Sequence, residues 1–570
     1  MTTLNTRIFS IFFLIFTSIF SQDKYPTNYF QNPLDIPMYL SGTFGELRSN
    51  HFHSGLDIKT QLKEGFNVFS VADGYVSRIK VSHWGYGKVL YVTHPNGYTS
   101  VYAHLKKYSP KIEEYIKKHQ YKKESFEIQL YPDNTDLQLT KGEVIAYSGS
   151  TGGYVGPHLH FEIRDEKSRP INPMLFGVTV KDNIKPSINT LVAYPIDSIS
   201  QINSSNAPLQ ISSIKQLSNG DLQASRITAF GRIGLGINVF DQLNGAVNKN
   251  GVYSLEMFVN GKKYYGHKVE KFSFAESKYI NLLIDYDRYA NLKQRVQLCY
   301  IDSKNILSIY DKTTEKGFIN IEDGKTYNVE IVAKDFNGNQ KKLIVPILGK
   351  NDVIKIQKSI KETPYHIKSS EFNKFSKDGI TVAFPKNTFY NDFYLDFDVK
   401  KESGDVYVHE KTVPLNGRYT LTFDVTAYDK KGRKNLYIAN YNSKGYPSYS
   451  KTIKKENTFY TSTKSLGKFS LMHDDKKPIL KLKNIKSEQW VTNYKKIVLK
   501  VSDDLSGIKS YRGEINNEWI LLEYNPKYGS LTYDFSDKKL TGSKHLLKVI
   551  VVDNVGNTNT LETTFYKKSN

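Results

Sequence analysis

The sequence predicts a mostly β protein: an antiparallel β-domain with a small helical insertion, followed by about three β-sandwich domains of immunoglobulin-like type. Three observations carry this expectation. Short alternating runs such as VFSVADGYVSRIKV and GKVLYVTHPNGYTSVYAHL follow one another between glycine turns, and a period of two is the signature of strands with one buried face. Helical periods are scarce outside one lysine-rich stretch. A motif pair also recurs: Val239-x-Asp241-x-Leu243-x-Gly245 matches Val501-x-Asp503-x-Leu505-x-Gly507, and Asp-x-x-Gly-Asn follows each, at Asp335 to Asn339 and at Asp553 to Asn557, as in two copies of one unit.

A chain of 570 residues exceeds what one core serves. Residues 1–21 read as a signal peptide: Arg7 precedes an apolar run from Ile8 to Phe20, and the small Ser21 follows, a pattern cut on export. About 13 apolar residues are short for a bilayer span, and no later segment reads as transmembrane. Residues 38–177 form the first β-domain. Asp73-Gly74 and Asn96-Gly97 are the dipeptides that two-residue hairpin turns favour. Residues of about 106–140, containing KKYSPKIEEYIKKHQYKKE, read as a charged helical insertion followed by a polar loop.

From about residue 185 the chain turns tyrosine- and lysine-rich. Residues 185–350 and 475–570 hold the two copies of the repeat and read as Ig-like sandwiches. Residues 355–472, with GRYTLTFDVTAYDKKGR and KNLYIANY, form a further β-rich domain outside the repeat. Lys185-Pro186 and Lys477-Pro478 mark linkers. The repeated aspartates are read as strand-end turn formers in preference to calcium ligands. No catalytic set assembles beyond residue 185, so this array is assigned to spacing, docking or binding.

Composition narrows the function classes. Cys299 is the single cysteine, which rules out an internal disulfide and a lipid-anchoring cysteine after the signal. A formal net charge of +22 favours polyanionic partners, with simple solubility as the alternative reading. An exported chain meets acidic envelope polymers and anionic membrane surfaces rather than nucleic acid, so the expected location is the periplasm or cell envelope, with the cell surface or secretion as variants.

Eight of the 13 histidines fall within residues 51–160, where even spreading predicts about 2.5. In Gly156-Pro157-His158-Leu159-His160-Phe161-Glu162, strand alternation turns His158 and His160 to one face and Leu159 and Phe161 to the other. In His53-Ser54-Gly55-Leu56-Asp57 an imidazole and a carboxylate stand four residues apart, with Gly55 giving the backbone room to turn. His53, Asp57 and His160 together make a three-ligand zinc site, one zinc ion (Zn2+) per chain, with a fourth position for water, as catalysis requires. His158 shares the face of His160, and His104, in Tyr102-Ala103-His104-Leu105, ends a strand of the same domain. Both are candidates for proton transfer and oxyanion stabilisation.

HSGLD at 53–57, YAHL at 102–105, KGEVIAYSGSTG at 141–152 and HLHFE at 158–162, in that order, resemble the lysostaphin/LytM-like zinc metallopeptidases that cut peptide bridges in bacterial peptidoglycan. The resemblance covers about residues 40–175. It implies a β metallopeptidase domain, zinc held by His53, Asp57 and His160, and His104 and His158 as catalytic histidines. The function it implies is an exported zinc endopeptidase acting on peptidoglycan stem or cross-link peptides, with the C-terminal β-domains positioning it and open to envelope protein partners. The alternative is a non-catalytic envelope protein that binds peptidoglycan or activates a separate amidase.

Some neighbours depart from the pattern. His51 forms a second His-x-His with His53, and the H-x-G-x-D context selects His53, leaving His51 at the rim. Glu162 shares the histidine face and is read either as an acceptor orienting one of them or as half of a salt bridge. Trp84 and Tyr86 are assigned to loop packing ahead of the cleft wall. His409-Glu410 begins H-E-x-x-H, but residue 413 is Val, which excludes a thermolysin-like site.

Overall fold

Alternation of apolar and polar residues builds the first sheet. Along Gly74–Val81 the side chains of Val76, Ile79 and Val81 are buried while Ser77, Arg78 and Lys80 are partly exposed, so one face packs and the other meets solvent. The computed structural model describes residues 25–153, 156–313, 315–359 and 361–568; the signal peptide expected at 1–21 lies outside them. Strand accounts for 44% and helix for 6%, and the mostly β expectation holds.

In the first domain the strands pair in the order Leu40–Gly42, Leu56–Lys59, His158–Arg164, Thr99–Ala103, Lys88–Thr93, Gly74–Val81 and Ile128–Leu130. Every pairing along this path is antiparallel. A second, three-stranded sheet of Asn67–Phe69, Val144–Tyr147 and Lys107–Tyr108 stands beside it. Leu56, Ile58, Leu90, Tyr102, Leu159, Phe161 and Ile163 form its core with Val68 and Ile145 of the small sheet. Residue 160 therefore sits in the middle of the larger sheet with strands on both sides.

Two turn expectations are corrected. Asp73-Gly74 is not a hairpin turn: it leads from Asn67–Phe69 in the small sheet into Gly74–Val81 in the large one, and Gly74 is outside the positive-φ set. Asn96-Gly97 does close a hairpin, with Gly97 at φ 84°. Thr93 pairs with Thr99, however, so the connection is longer than two residues.

The insertion contains the helix Pro110–Lys123, which starts at a proline and ends at Glu124 in the left-handed region, the asymmetry expected of helix ends. Ile112 and Ile116 are its buried apolar residues. The stretch after it, expected as a polar loop, supplies two edge strands, Ile128–Leu130 and Gln138–Leu139, both paired with Gly74–Val81.

Beyond residue 185 three further cores follow. The first includes Leu191, Leu235, Leu255, Ile331 and Val345. Here Ile227–Phe240, a 14-residue strand, pairs antiparallel with Ser187–Pro195 and, at its start, parallel with Gln340–Gly349. One strand thus serves both layers, an arrangement the sequence reading of plain sandwiches did not anticipate. The second core, with Val382, Phe384, Leu421 and Phe469, lies between two five-stranded sheets. The third, with Leu499, Tyr533, Val549 and Val551, lies between a four-stranded and a five-stranded sheet.

The last sandwich packs back on the first domain. Lys117 of the insertion helix meets Asp537 at 2.5 Å, Arg512 meets Glu124 at 2.7 Å and Lys88 meets Glu523 at 3.1 Å. Tyr121 sits edge-on to Trp519. Lys527 Nζ donates to Ser150 O at 2.7 Å.

Candidate metal centre

Cross-strand register brings the first two donors together. Asp57 pairs directly opposite His160, and opposed residues project to the same face. His53 lies just before the Leu56–Lys59 strand, where its backbone pairs with the 45–46 segment. Gly55 permits this by close approach and not by an unusual φ: a Cβ there would stand 2.2 Å from Phe161 O, so only glycine lets the strand press against His158–Arg164.

Three donor atoms converge. His53 Nε2 is 3.0 Å from Asp57 Oδ1 and 3.1 Å from His160 Nδ1, and His160 Nδ1 is 2.8 Å from Asp57 Oδ1. The outer ring nitrogens are engaged elsewhere. His53 Nδ1 donates to Thr43 O at 2.7 Å and His160 Nε2 to Glu162 Oε1 at 2.8 Å. Those partners accept only, so the tautomers they select turn both inner lone pairs toward each other. Two imidazole nitrogens and a carboxylate in one buried spot form a donor set suited to a cation. Ligands at about 2.0–2.1 Å from one tetrahedral zinc ion lie roughly 3.4 Å apart, close to the spacing found, so the donor set fits zinc.

Charge follows the same logic. Burial opposes ionisation of Asp57, but the adjoining His53 and His160 hold its carboxyl well below the usual range. Burial likewise opposes a charge on His160, yet its hydrogen bonds to Asp57 and Glu162 raise it to about 9. The pocket is built for positive charge at this point.

His104 and His158 flank the donors. His104 occupies the left-handed region at φ 60°, a conformation few non-glycine residues adopt, and its Nδ1 is held by Thr151 O at 2.8 Å. Its ring centroid lies 4.7 Å from that of His158 and 5.9 Å from that of His160. Burial, with His158 and His160 adding to it, brings His104 down to about 3, and burial lowers His158. Both shifts favour the neutral imidazole.

Of the eight clustered histidines, His53, His104, His158 and His160 gather here. His51 is exposed, with Nδ1 on Ser49 O. His94 is tied to Asp73 O and Ser100, His83 packs against Phe126 and Tyr511, and His119 stays on the insertion helix. Glu162 takes both roles weighed for it: it accepts from His160 and pairs with Arg164 at 2.6 Å. Trp84 is 62% exposed. Tyr86 is more than loop packing, since its ring stacks on His160 and its hydroxyl donates to Glu162. The sequence reading missed Arg48, which pairs with Asp57 Oδ2 at 3.1 Å, and Ser54, which donates to Glu162 at 2.8 Å. It also missed Arg164, although strand alternation from His158 through His160 and Glu162 reaches it.

Part of this region, with His53, Asp57 and His104, falls within a match to a known family. Residues 51–121 match the model of peptidase family M23, and residues 364–474 match that of the Zu5-like domain. The DD-carboxypeptidase/endopeptidase Mpg of Neisseria meningitidis is 30% identical over 128 residues, covering 22% of this chain and 23% of its own. The peptidoglycan DD-endopeptidase ShyB of Vibrio cholerae is 28% identical over 138 residues, 24% of this chain and 26% of its own. The match thus spans about a quarter of these relatives. The solved catalytic domain of the antimicrobial peptidase lysostaphin from Staphylococcus simulans aligns with 25% of this chain and 93% of its own, at 21% identity and a TM-score of 0.19.

Proposed function

From the peptidase family M23 domain that the chain carries, we propose an exported zinc-dependent endopeptidase that hydrolyses peptide bonds in peptidoglycan stem or cross-link peptides. The observation that carries this reading is the mutual approach, within 3.1 Å, of His53 Nε2, Asp57 Oδ1 and His160 Nδ1. A zinc ion held by these three atoms would supply Lewis acidity toward a peptide carbonyl and a bound water. His104 and His158, with Nδ1 on the carbonyls of Thr151 and Gly156, present Nε2 to take the proton from the attacking water, and the imidazolium so formed donates to the developing oxyanion and then to the leaving amine. Thr43 O and Glu162 fix the ligand rings, which keeps the donor geometry from drifting between turnovers. Relatives named as peptidoglycan endopeptidases support the substrate class, and the net charge of +22 supports binding to an acidic envelope polymer.

The test is zinc content together with release of soluble fragments from purified sacculi. Wild-type protein is expected to carry about one zinc per chain and to release muropeptides whose masses report the bond cut. His160→Ala is expected to lose both. A His160→Ala protein that keeps its zinc and its activity overturns the assignment. Wild-type protein that binds sacculi and releases nothing with zinc supplied supports the binding or amidase-activating role instead.

A further inference from the structure

The two copies of the repeat each gather three aspartates, one more than the sequence motifs contain. Asp182 joins Asp241 and Asp335, and Asp474 joins Asp503 and Asp553, with one ligand atom from each residue within 4.8 Å of the others. Asp182 and Asp474 both stand three residues before a Lys-Pro pair. Asn339 and Asn557 also act alike: each side chain donates to the third aspartate, Asp335 or Asp553, and to the carbonyl of the first, Asp182 or Asp474.

The copies differ in what the middle aspartate does. Asp503 Oδ1 accepts from the amides of Leu505 and Gly507 at 3.1 and 2.6 Å, which is the turn role. Asp241 is only 3% exposed and its Oδ1 has no hydrogen-bond partner among the described residues. A cavity of about 20 Å³ is lined by Asp182, Asp241 and Asp335 together with Thr43 and Asn172, enough for one ion or water. Thr43 Oγ1 is likewise buried with no hydrogen-bond partner among the described residues.

We propose that Asp182, Asp241 and Asp335 hold a calcium ion in this cavity. Two oxygens on one calcium at about 2.4 Å are at most about 4.8 Å apart, the limit these atoms meet. The donors are oxygens throughout, which selects a hard cation over zinc. The ion ties the segment entering the first sandwich to that sandwich's own loops and to Thr43 of the first domain. Because Thr43 O also holds His53 Nδ1, the calcium site braces a backbone segment that orients a zinc ligand. The proposal stands independently of the zinc reading.

Equilibrium dialysis of the chelator-stripped full chain against calcium, with calorimetry, tests it. Wild type and Asp503→Asn are expected to take up calcium at this site and to gain at least about 3 °C in unfolding midpoint at saturation. Asp241→Asn is expected to lose that uptake and the shift, and in calcium-free buffer to melt no lower than wild type, because it removes one of three opposed carboxylates. Asp182→Asn is expected to weaken uptake at least about tenfold. The site is refuted if wild type takes up no calcium at millimolar concentration, or if Asp241→Asn binds and shifts as wild type does. An equal shift from magnesium at equal concentration overturns the calcium assignment.

Discussion

Glu162 shows how much one side chain can hold in place. It is fully buried, carries Arg164 on Oε2, and collects His160, Ser54 and Tyr86 on Oε1. Burial alone would raise its carboxyl, but Arg164 and His160 hold it far below the usual range, so it is a fixed negative charge behind His160. Glu162→Gln keeps the shape and removes the charge; zinc affinity is expected to fall about 10–100-fold, measured by competition with a chromophoric chelator. Tyr86→Phe deletes one of three contacts to the same oxygen and is expected to cost only a few-fold. The alternation of His158, His160 and Glu162 was readable in seven letters of sequence. That Asp57 stands opposite His160 was not, because register between strands a hundred residues apart is set by the assembled sheet and not by either segment alone. Arg48 was invisible for the same reason: nothing in its surroundings marks it as a carboxylate partner.

At the level of elements, His267 shows a histidine serving stability. The Lys262–Lys268 strand places it, 2% exposed, in the first sandwich, with Nδ1 at 2.8 Å from Tyr265 OH. Burial brings it down to about 4, against 6.5 in an exposed histidine. The unfolded chain therefore binds a proton that the folded one refuses between pH 6.5 and 4. This stability is complete above pH 6.5 and is lost as pH falls toward 4, by about 3 kcal/mol in all. His267→Gln is expected to flatten the pH dependence of the first sandwich's calorimetric transition over that window. Strand runs with strong alternation and the insertion helix were legible because their patterns are local. Ile128–Leu130 and Gln138–Leu139 were not, since short edge strands take their conformation from the neighbour they pair with. The 14-residue strand shared by two layers was hidden similarly: its length is visible only once its partners are known.

On the scale of the whole molecule, the repeat announced related units but not their docking. The sandwich array reads in sequence as a string of separate modules, whereas its last member lies on the insertion helix and the Ser150 segment. Lys117 and Asp537, with side chains 30% and 5% exposed, test whether this contact is energetic. Asp537→Lys is expected to lower the unfolding midpoint of the last sandwich, and Lys117→Asp combined with it to restore at least half of the loss, the coupling a double-mutant cycle isolates at about 0.5–3 kcal/mol. No recovery in the double variant would make the contact incidental. Lys88 and Glu523, which meet across the same seam, are separated by 435 positions in the chain. At about 5–20 residues per second, a ribosome delivers the second partner roughly 20 to 90 s after the first. Throughout that interval the newborn amino-terminal sheet must keep an ammonium group solvated which the finished protein covers.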